Sequence, residues 1–118
     1  MSHAVKMSPQ MQKSISACME SHSRCEQTMT YCLMQGGQHA DMAMMGPLMD
    51  CADMTRMCAD MMMRQSPMAM EMAAMCAKVA TRCAEACMTM SNDTTMKECA
   101  DTCRMCAEAC QAMAGARA

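Results

Sequence analysis

Twelve cysteines are the residues of this chain whose type and spacing are best suited to chemistry. Within each of four groups, successive cysteines are three, four or seven residues apart, and these intervals return a side chain to the same face of an α-helix. Four helices packed with these stripes inward would enclose an interior lined with sulfur. The groups are Cys18, Cys25 and Cys32; Cys51 and Cys58; Cys76, Cys83 and Cys87; and Cys99, Cys103, Cys106 and Cys110.

Monovalent copper is the metal ion that such an interior would bind best. Thiolates and thioethers select Cu(I) over harder ions, and Cu(I) is satisfied by two or three sulfur ligands. Cysteines four residues apart on a helix have Cβ atoms about 5–6 Å apart, so both sulfurs can lean toward one ion. Cysteines at heptad spacing would pair with cysteines of another helix. The pairs four residues apart are Cys83/Cys87, Cys99/Cys103 and Cys106/Cys110.

Other roles for the cysteines fit their spacing less well. Heptad neighbours lie about 10 Å apart along a helix, too far for a disulfide, although disulfides between helices stay open. Structural zinc sites use paired ligands on tight loops, whereas these cysteines form long columns on helices. Burial as small hydrophobic residues would account for one or two cysteines, not for twelve on four helices. We therefore predict that each chain binds multiple Cu(I) ions.

Methionine supplies a second kind of sulfur. The chain has 24 methionines, and a neutral thioether is a good Cu(I) donor and a poor zinc ligand. Most would fill the core, and clusters near both ends of the predicted bundle leave open which end admits copper. On the second helix, the inner face carries either Met54 or Thr55, and either Met61 or Met62. The candidate methionine ligands are Met11, Met29, Met54, Met61 and Met72.

Two histidines are further candidates. His22 falls on the predicted inner face between Cys18 and Cys25, where it is either a metal ligand or a core residue with a satisfied hydrogen bond. His3 stands near the amino terminus and would form a Cu(II) site if that terminus is free and unprocessed.

The composition predicts one small domain, residues 1–118, whose core is weak without metal. Phe and Trp are absent, and the net charge is −2 with both signs interspersed. This distribution indicates neither a nucleic-acid partner nor a membrane partner. The apolar volume comes from Met, Cys and Ala, and flexible Met specifies packing poorly. Metal bound to thiolates would cross-link the helices and stabilise the fold by linkage.

Helix signals divide the chain into four helices joined by short loops. Ser66 and Pro67 repeat the cap-plus-proline signal found at Ser8 and Pro9. Short loops favour an antiparallel up-down-up-down four-helix bundle, an all-α fold with a core lined by Cys and Met. The predicted helices span about 9–35, 42–64, 67–90 and 94–114.

Two helix starts have alternatives. The second helix begins either after Asp41, with Pro47 inside it, or at Pro47 itself. The fourth helix is capped either by Thr95, in a capping box with Glu98, or by Asp93.

The cysteine pattern resembles the bacterial copper storage proteins, which are four-helix bundles rich in Cys-x3-Cys. The carboxyl-terminal half carries the resemblance, in Cys83-Ala-Glu-Ala-Cys87 and Cys99-Ala-Asp-Thr-Cys103-Arg-Met-Cys106-Ala-Glu-Ala-Cys110. The heptad cysteines of the first two helices extend it over nearly the whole chain. The resemblance implies a homotetramer of bundles in which the cysteines hold many Cu(I) ions. This chain departs from the family in having fewer cysteines and many more methionines.

We therefore predict a non-enzymatic protein that stores Cu(I). The alternatives are a copper chaperone or sensor, which would load few ions and expose a docking face, and a thiol redox protein, which would need one exposed, reactive thiol. The first twenty residues show no basic patch followed by an apolar run, so we expect a cytoplasmic protein. The periplasm is the alternative if a leader has been removed.

Overall fold

A computed structural model describes residues 7–115. In this range the chain forms four long α-helices, one short 3-10 helix and no strand. Each long helix packs against two neighbours, α1 on α2 and α4, and α3 on α2 and α4. The predicted all-α four-helix bundle is therefore confirmed. The helices are α1 Pro9–Gln35, the 3-10 helix Gly37–Ala40, α2 Met42–Met63, α3 Ala69–Met88 and α4 Thr94–Gly115.

The first helix begins and ends where the sequence indicates. The Ser8 Oγ accepts a hydrogen bond of 3.1 Å from the Met11 N–H, and Pro9 occupies the first helical position. At the other end, the Gly36 N–H donates to the Cys32 carbonyl over 3.0 Å. Gly36 has a φ of 69°, a left-handed conformation that glycine adopts without the clash of a Cβ atom.

The second and third helices start at positions that local contacts decide. Helix α2 begins after Asp41, so Pro47 lies inside it and is buried. Helix α3 begins at Ala69, slightly later than the predicted Pro67, and ends at Met88. A turn precedes it, because the Ser66 Oγ accepts the Met68 N–H over 3.1 Å.

Asp93 holds one end of the bundle together. Its Oδ1 accepts the Thr95 and Met96 N–H groups at 3.0 and 3.4 Å, so Asp93 rather than Thr95 caps α4. Its Oδ2 accepts the Tyr31 hydroxyl at 2.7 Å and lies 2.9 Å from the His39 Nε2. One carboxylate therefore links the α3–α4 connection to α1 and to the 3-10 helix.

The inner face of α1 differs from the predicted one. The sequence predicts an inner face on which His22 and Met29 accompany the cysteines. The structure buries Ser14, Ser21 and Thr28 instead, and the larger residues lie half-buried at the helix edges. The physical reason is the narrow interior, which accepts small side chains beside the thiols and leaves no room for long ones.

The same preference for small side chains holds on the neighbouring helices. Thr55 is buried rather than Met54, and Ala80 rather than Val79. Fully buried long side chains, such as Met62 and Met96, lie toward the two ends of the bundle. None of the described helices is long and apolar enough to cross a membrane.

Replacing Asp93 with Ala should destabilise the metal-free protein by about 1–2 kcal/mol, because α4 loses its cap. The hydrogen bond from Tyr31 lowers the pKa of Asp93, so its carboxylate stabilises the fold above its unfolded pKa. This contribution is lost as pH falls through the lowered pKa, so the difference from wild type should shrink below about pH 4. Urea unfolding at several pH values measures both effects.

Asp101→Ala is the matched control. Asp101 lies on the exposed face of α4, where its ion pairs with Lys97 and Arg104 are on the surface. Its loss should cost under about 0.5 kcal/mol. Equal destabilisation by the two substitutions would contradict the capping role of Asp93.

Candidate metal centre

All twelve cysteines are buried with no exposed surface, and all are free thiols. They come from all four helices and meet along the axis of the bundle. Ten of the twelve sulfurs, all but those of Cys32 and Cys58, group into three sets in which every Sγ lies within 4.8 Å of the others. The predicted sulfur-lined interior is therefore present.

The terminal cluster lies toward the end of the bundle where α1 begins and α4 ends. It consists of Cys18, Cys76, Cys106 and Cys110. The Cys18 Sγ is 3.4 Å from Cys110, 3.8 Å from Cys106 and 4.0 Å from Cys76. Cys58 of α2 is also fully buried but belongs to none of the three sets.

The central cluster takes one cysteine from each helix: Cys25, Cys51, Cys83 and Cys103. Cys103 is its hub, because its Sγ lies 3.7 Å from Cys25, 3.9 Å from Cys51 and 3.7 Å from Cys83. An ion in this cluster could therefore be coordinated by two, three or four sulfurs.

The loop-end cluster continues the column toward the α3–α4 connection. It consists of Cys83, Cys87 and Cys99, so Cys83 belongs to two clusters. Beyond it, the Cys32 Sγ contacts the Met96 thioether sulfur at 3.6 Å. Cys83 thus joins the central and loop-end clusters, and a mixed thiol–thioether pair lies beyond them.

These separations suit metal binding. A thiolate bond to zinc, an ion of similar size, is about 2.3 Å long, so two sulfurs up to about 4.6 Å apart can share one ion. The sulfur contacts of Cys18 and Cys103, at 3.4–4.0 Å, are all shorter than this limit. The interior offers sulfur ligands and, among the described residues, no buried carboxylate or imidazole, a donor set that favours a soft ion.

Comparisons with known proteins agree with this chemistry. The family model described as copper storage protein matches residues 7–115. The chain belongs to the copper storage protein family.

Solved structures of relatives are also similar to this copper storage protein. The Nmul_A1745 protein of Nitrosospira multiformis is 30% identical, with a TM-score of 0.83 and coverage of 91% of this chain and 96% of that one. The Cu(I)-bound copper storage protein BsCsp3 is 28% identical, with a TM-score of 0.83 and coverage of 89% and 98%. Apo-Csp3 of Bacillus subtilis is 28% identical, with a TM-score of 0.77 and coverage of 87% and 97%. No curated protein matches the chain significantly.

The predicted function is therefore confirmed. The protein is non-enzymatic and stores copper by binding multiple Cu(I) ions in its buried cysteine clusters. Copper is the cargo of this protein. The fold places the thiols that bind it around the axis of the bundle.

The methionine candidates lie around the column rather than within it. All five are half-buried. The four that pack against the core are Met11, Met29, Met54 and Met72, whereas Met61 stands beside the fully buried Met62.

His22 lies at the edge between α1 and α2 and not on the inner face. Its Nδ1 is 2.7 Å from the Ala52 carbonyl oxygen. Charged side chains of both helices, among them Glu26 and Arg56, line the same surface groove. His3 lies outside the described residues.

One residue near the metal centre, Ser21, could not be recognised from the sequence as part of it. Ser21 approaches the central cluster, with its Oγ 3.5 Å from the Cys103 sulfur and 3.7 Å from the Cys51 sulfur. The heptad spacing of Ser21 from Ser14 and Thr28 was the available signal, but a hydroxyl is an unexpected residue for a core face.

The thiols of the apo-protein differ in how readily they lose a proton. Burial raises the pKa of Cys32 to about 11. Hydrogen bonding with Cys106 raises the pKa of Cys18, whereas a hydrogen bond from Cys103 lowers the pKa of Cys51. The interior therefore mixes thiols that ionise easily with thiols that keep their protons until a metal displaces them.

Copper affinity should consequently rise with pH. Each Cu(I) that binds displaces the protons of raised-pKa thiols, so the apparent affinity should increase by up to about tenfold per pH unit for each proton released. Competition titrations with a chromogenic Cu(I) chelator of known pH dependence measure this slope. An affinity that is independent of pH would contradict thiol deprotonation on loading.

Proposed function

We propose that all twelve cysteines are ligands of one continuous Cu(I) store. Support comes from their complete burial and from the sharing of Cys83 between two clusters. Two unshared thiolates per ion would hold six ions in a chain of twelve cysteines, and full sharing of each thiolate would hold twelve.

Storage explains the arrangement better than delivery or redox chemistry does. A chaperone or sensor needs one or two accessible ligands, whereas every cysteine here is enclosed by the helices. A redox protein needs an exposed thiolate of low pKa, and none of the cysteines has exposed surface. Enclosure keeps water and oxidants away from the bound ions, which is what a store requires.

We further propose that thioethers and one imidazole assist the thiolates at the borders of the column. Met11, Met29, Met54 and Met72 are supported by their position against the core, and Met61 by its half-buried side chain beside the fully buried Met62. Nδ1 of His22 is engaged by the Ala52 carbonyl, so copper would bind to Nε2. These neutral ligands are weaker than thiolates, so ions held by them would be the first to leave. The proposed set is Met11, Met29, Met54, Met61, Met72 and His22, together with Met96, whose sulfur contacts Cys32.

The assembly and compartment are proposals of the same kind. Family resemblance supports a tetramer of bundles, and exposed methionines such as Met34, Met42 and Met105 offer apolar surface for contacts between chains. Twelve thiols that must stay reduced to bind copper support a reducing compartment, the cytoplasm, with the periplasm as the alternative. Light scattering and fractionation of the host cell test these two points.

Anaerobic titration of the reduced protein with Cu(I), against a chelator, should show uptake of six to twelve ions per chain, because twelve cysteines are available. The metal content of the protein after gel filtration gives an independent count. Protein whose thiols have been alkylated after unfolding serves as the control and should bind few ions. Saturation at one or two ions would overturn the storage proposal in favour of delivery.

Met96→Leu should remove about one Cu(I) ion from the total, because the Cys32 thiol then loses its thioether partner at 3.6 Å. Met and Leu have similar volumes, so the fold should lose less than about 1.5 kcal/mol. Met113→Leu is the matched control, since Met113 is also a buried methionine of α4 but lies at the opposite end. Equal copper counts in the two variants would exclude Met96 as a ligand.

A further inference from the structure

The copper-binding interior contains hydroxyl groups and no charged side chain among the described residues. Its buried polar residues are Ser14, Ser21, Thr28 and Thr55. A Cu(I) ion held by two thiolates carries a net charge of −1, and a buried charge is costly unless hydrogen bonds compensate it. The direction in which each hydroxyl donates its proton therefore matters for loading.

Three of the four hydroxyls are committed to the backbone. Ser14 donates to the carbonyl oxygen of Ala109 at 3.0 Å. Thr28 and Thr55 each donate to a carbonyl one turn earlier on their own helix, at 2.7 and 2.6 Å. The hydroxyl protons of these three residues are therefore used in hydrogen bonds to backbone carbonyl oxygens, within one helix or between two, and not in bonds to sulfur.

Ser21 differs from the other three because its contacts are to sulfur. Its fully buried Oγ lies 3.5 Å from the Cys103 Sγ and 3.7 Å from the Cys51 Sγ. A hydroxyl has one proton and two acceptor lone pairs. It can therefore donate to one of these sulfurs when that sulfur is a thiolate, and accept from the other while it remains a thiol.

We propose that Ser21 is a positioning residue of the copper store, whose hydroxyl donates to a thiolate of the central cluster and makes that cluster the first to take Cu(I). The inference rests on the proposed function, in which the cysteines are the copper ligands. The central cluster is also suited to start loading because it shares Cys83 with the loop-end cluster. Ions added next would extend the column from an occupied centre.

The first test locates the first ion in the wild-type protein. Cysteine Cβ resonances are followed by NMR in isotopically labelled apo-protein as one equivalent of Cu(I) is added without oxygen. The resonances of Cys25, Cys51 and Cys103 should shift before those of Cys18 and Cys110. Earlier shifts in the terminal cluster, or equal shifts in both clusters, would overturn the proposal.

The second test removes the hydroxyl. Ser21→Ala should weaken the affinity for the first Cu(I) ion about tenfold, because a hydrogen bond to a charged sulfur is lost. The total number of ions bound should stay the same. Ser14→Ala removes a buried hydroxyl from the same face of α1, one heptad earlier, and should leave the first affinity unchanged because Ser14 donates to the backbone.

The outcomes separate this inference from the proposed function. Unchanged first affinity in Ser21→Ala, or an equal loss in Ser14→Ala, would overturn the role of Ser21 while high capacity leaves storage intact. Uptake of only one or two ions by the wild-type protein would overturn storage itself. The NMR map of the wild-type protein decides the loading order even if Ser21→Ala fails to fold.

Discussion

The close approach of the four helices is the constraint on which the rest of this structure depends. Sulfurs from different helices come within 3.4–4.0 Å of one another, which requires small side chains around them. Ala52, Ala59, Ala73 and Ala80 are fully buried and supply that space. A core of Leu and Phe would hold the helices further apart and would fill the volume that the ions need.

This solution leaves the apo-protein with a core that specifies its packing weakly. Cys, Ala and Met define a unique packing less well than branched or aromatic side chains do. Leu48 is a branched side chain that is fully buried in this core. Directional interactions at the helix ends compensate, above all the bonds of Asp93 to Tyr31 and to the first turn of α4. Copper then adds cross-links between helices where the apolar core is least specific.

Charge is the second problem that the interior must solve. Replacing each thiol proton by one Cu(I) leaves the charge unchanged, so a column with as many ions as thiolates is neutral. A column with two thiolates per ion is negative, and no buried cation is present among the described residues to balance it. Protons retained on thiols of raised pKa, such as Cys18, limit that charge during partial loading. The Ser21 hydroxyl can stabilise the remaining charge by donating a hydrogen bond.

The sequence by itself determined the four helices, their antiparallel order and the inward position of every cysteine, because intervals of three, four and seven residues put all of them on one face of each helix. The sequence could not decide which other side chains lie beside the cysteines in the core. On α1, Ser21 and His22 extend two heptad patterns that share the same cysteines, and hydropathy does not favour the serine. Only the tertiary structure decided for Ser21, since the narrow space between four close helices admits a hydroxyl and excludes an imidazole. The grouping of the thiols into clusters was likewise a tertiary outcome, because it depends on the axial stagger of helices that local sequence does not encode.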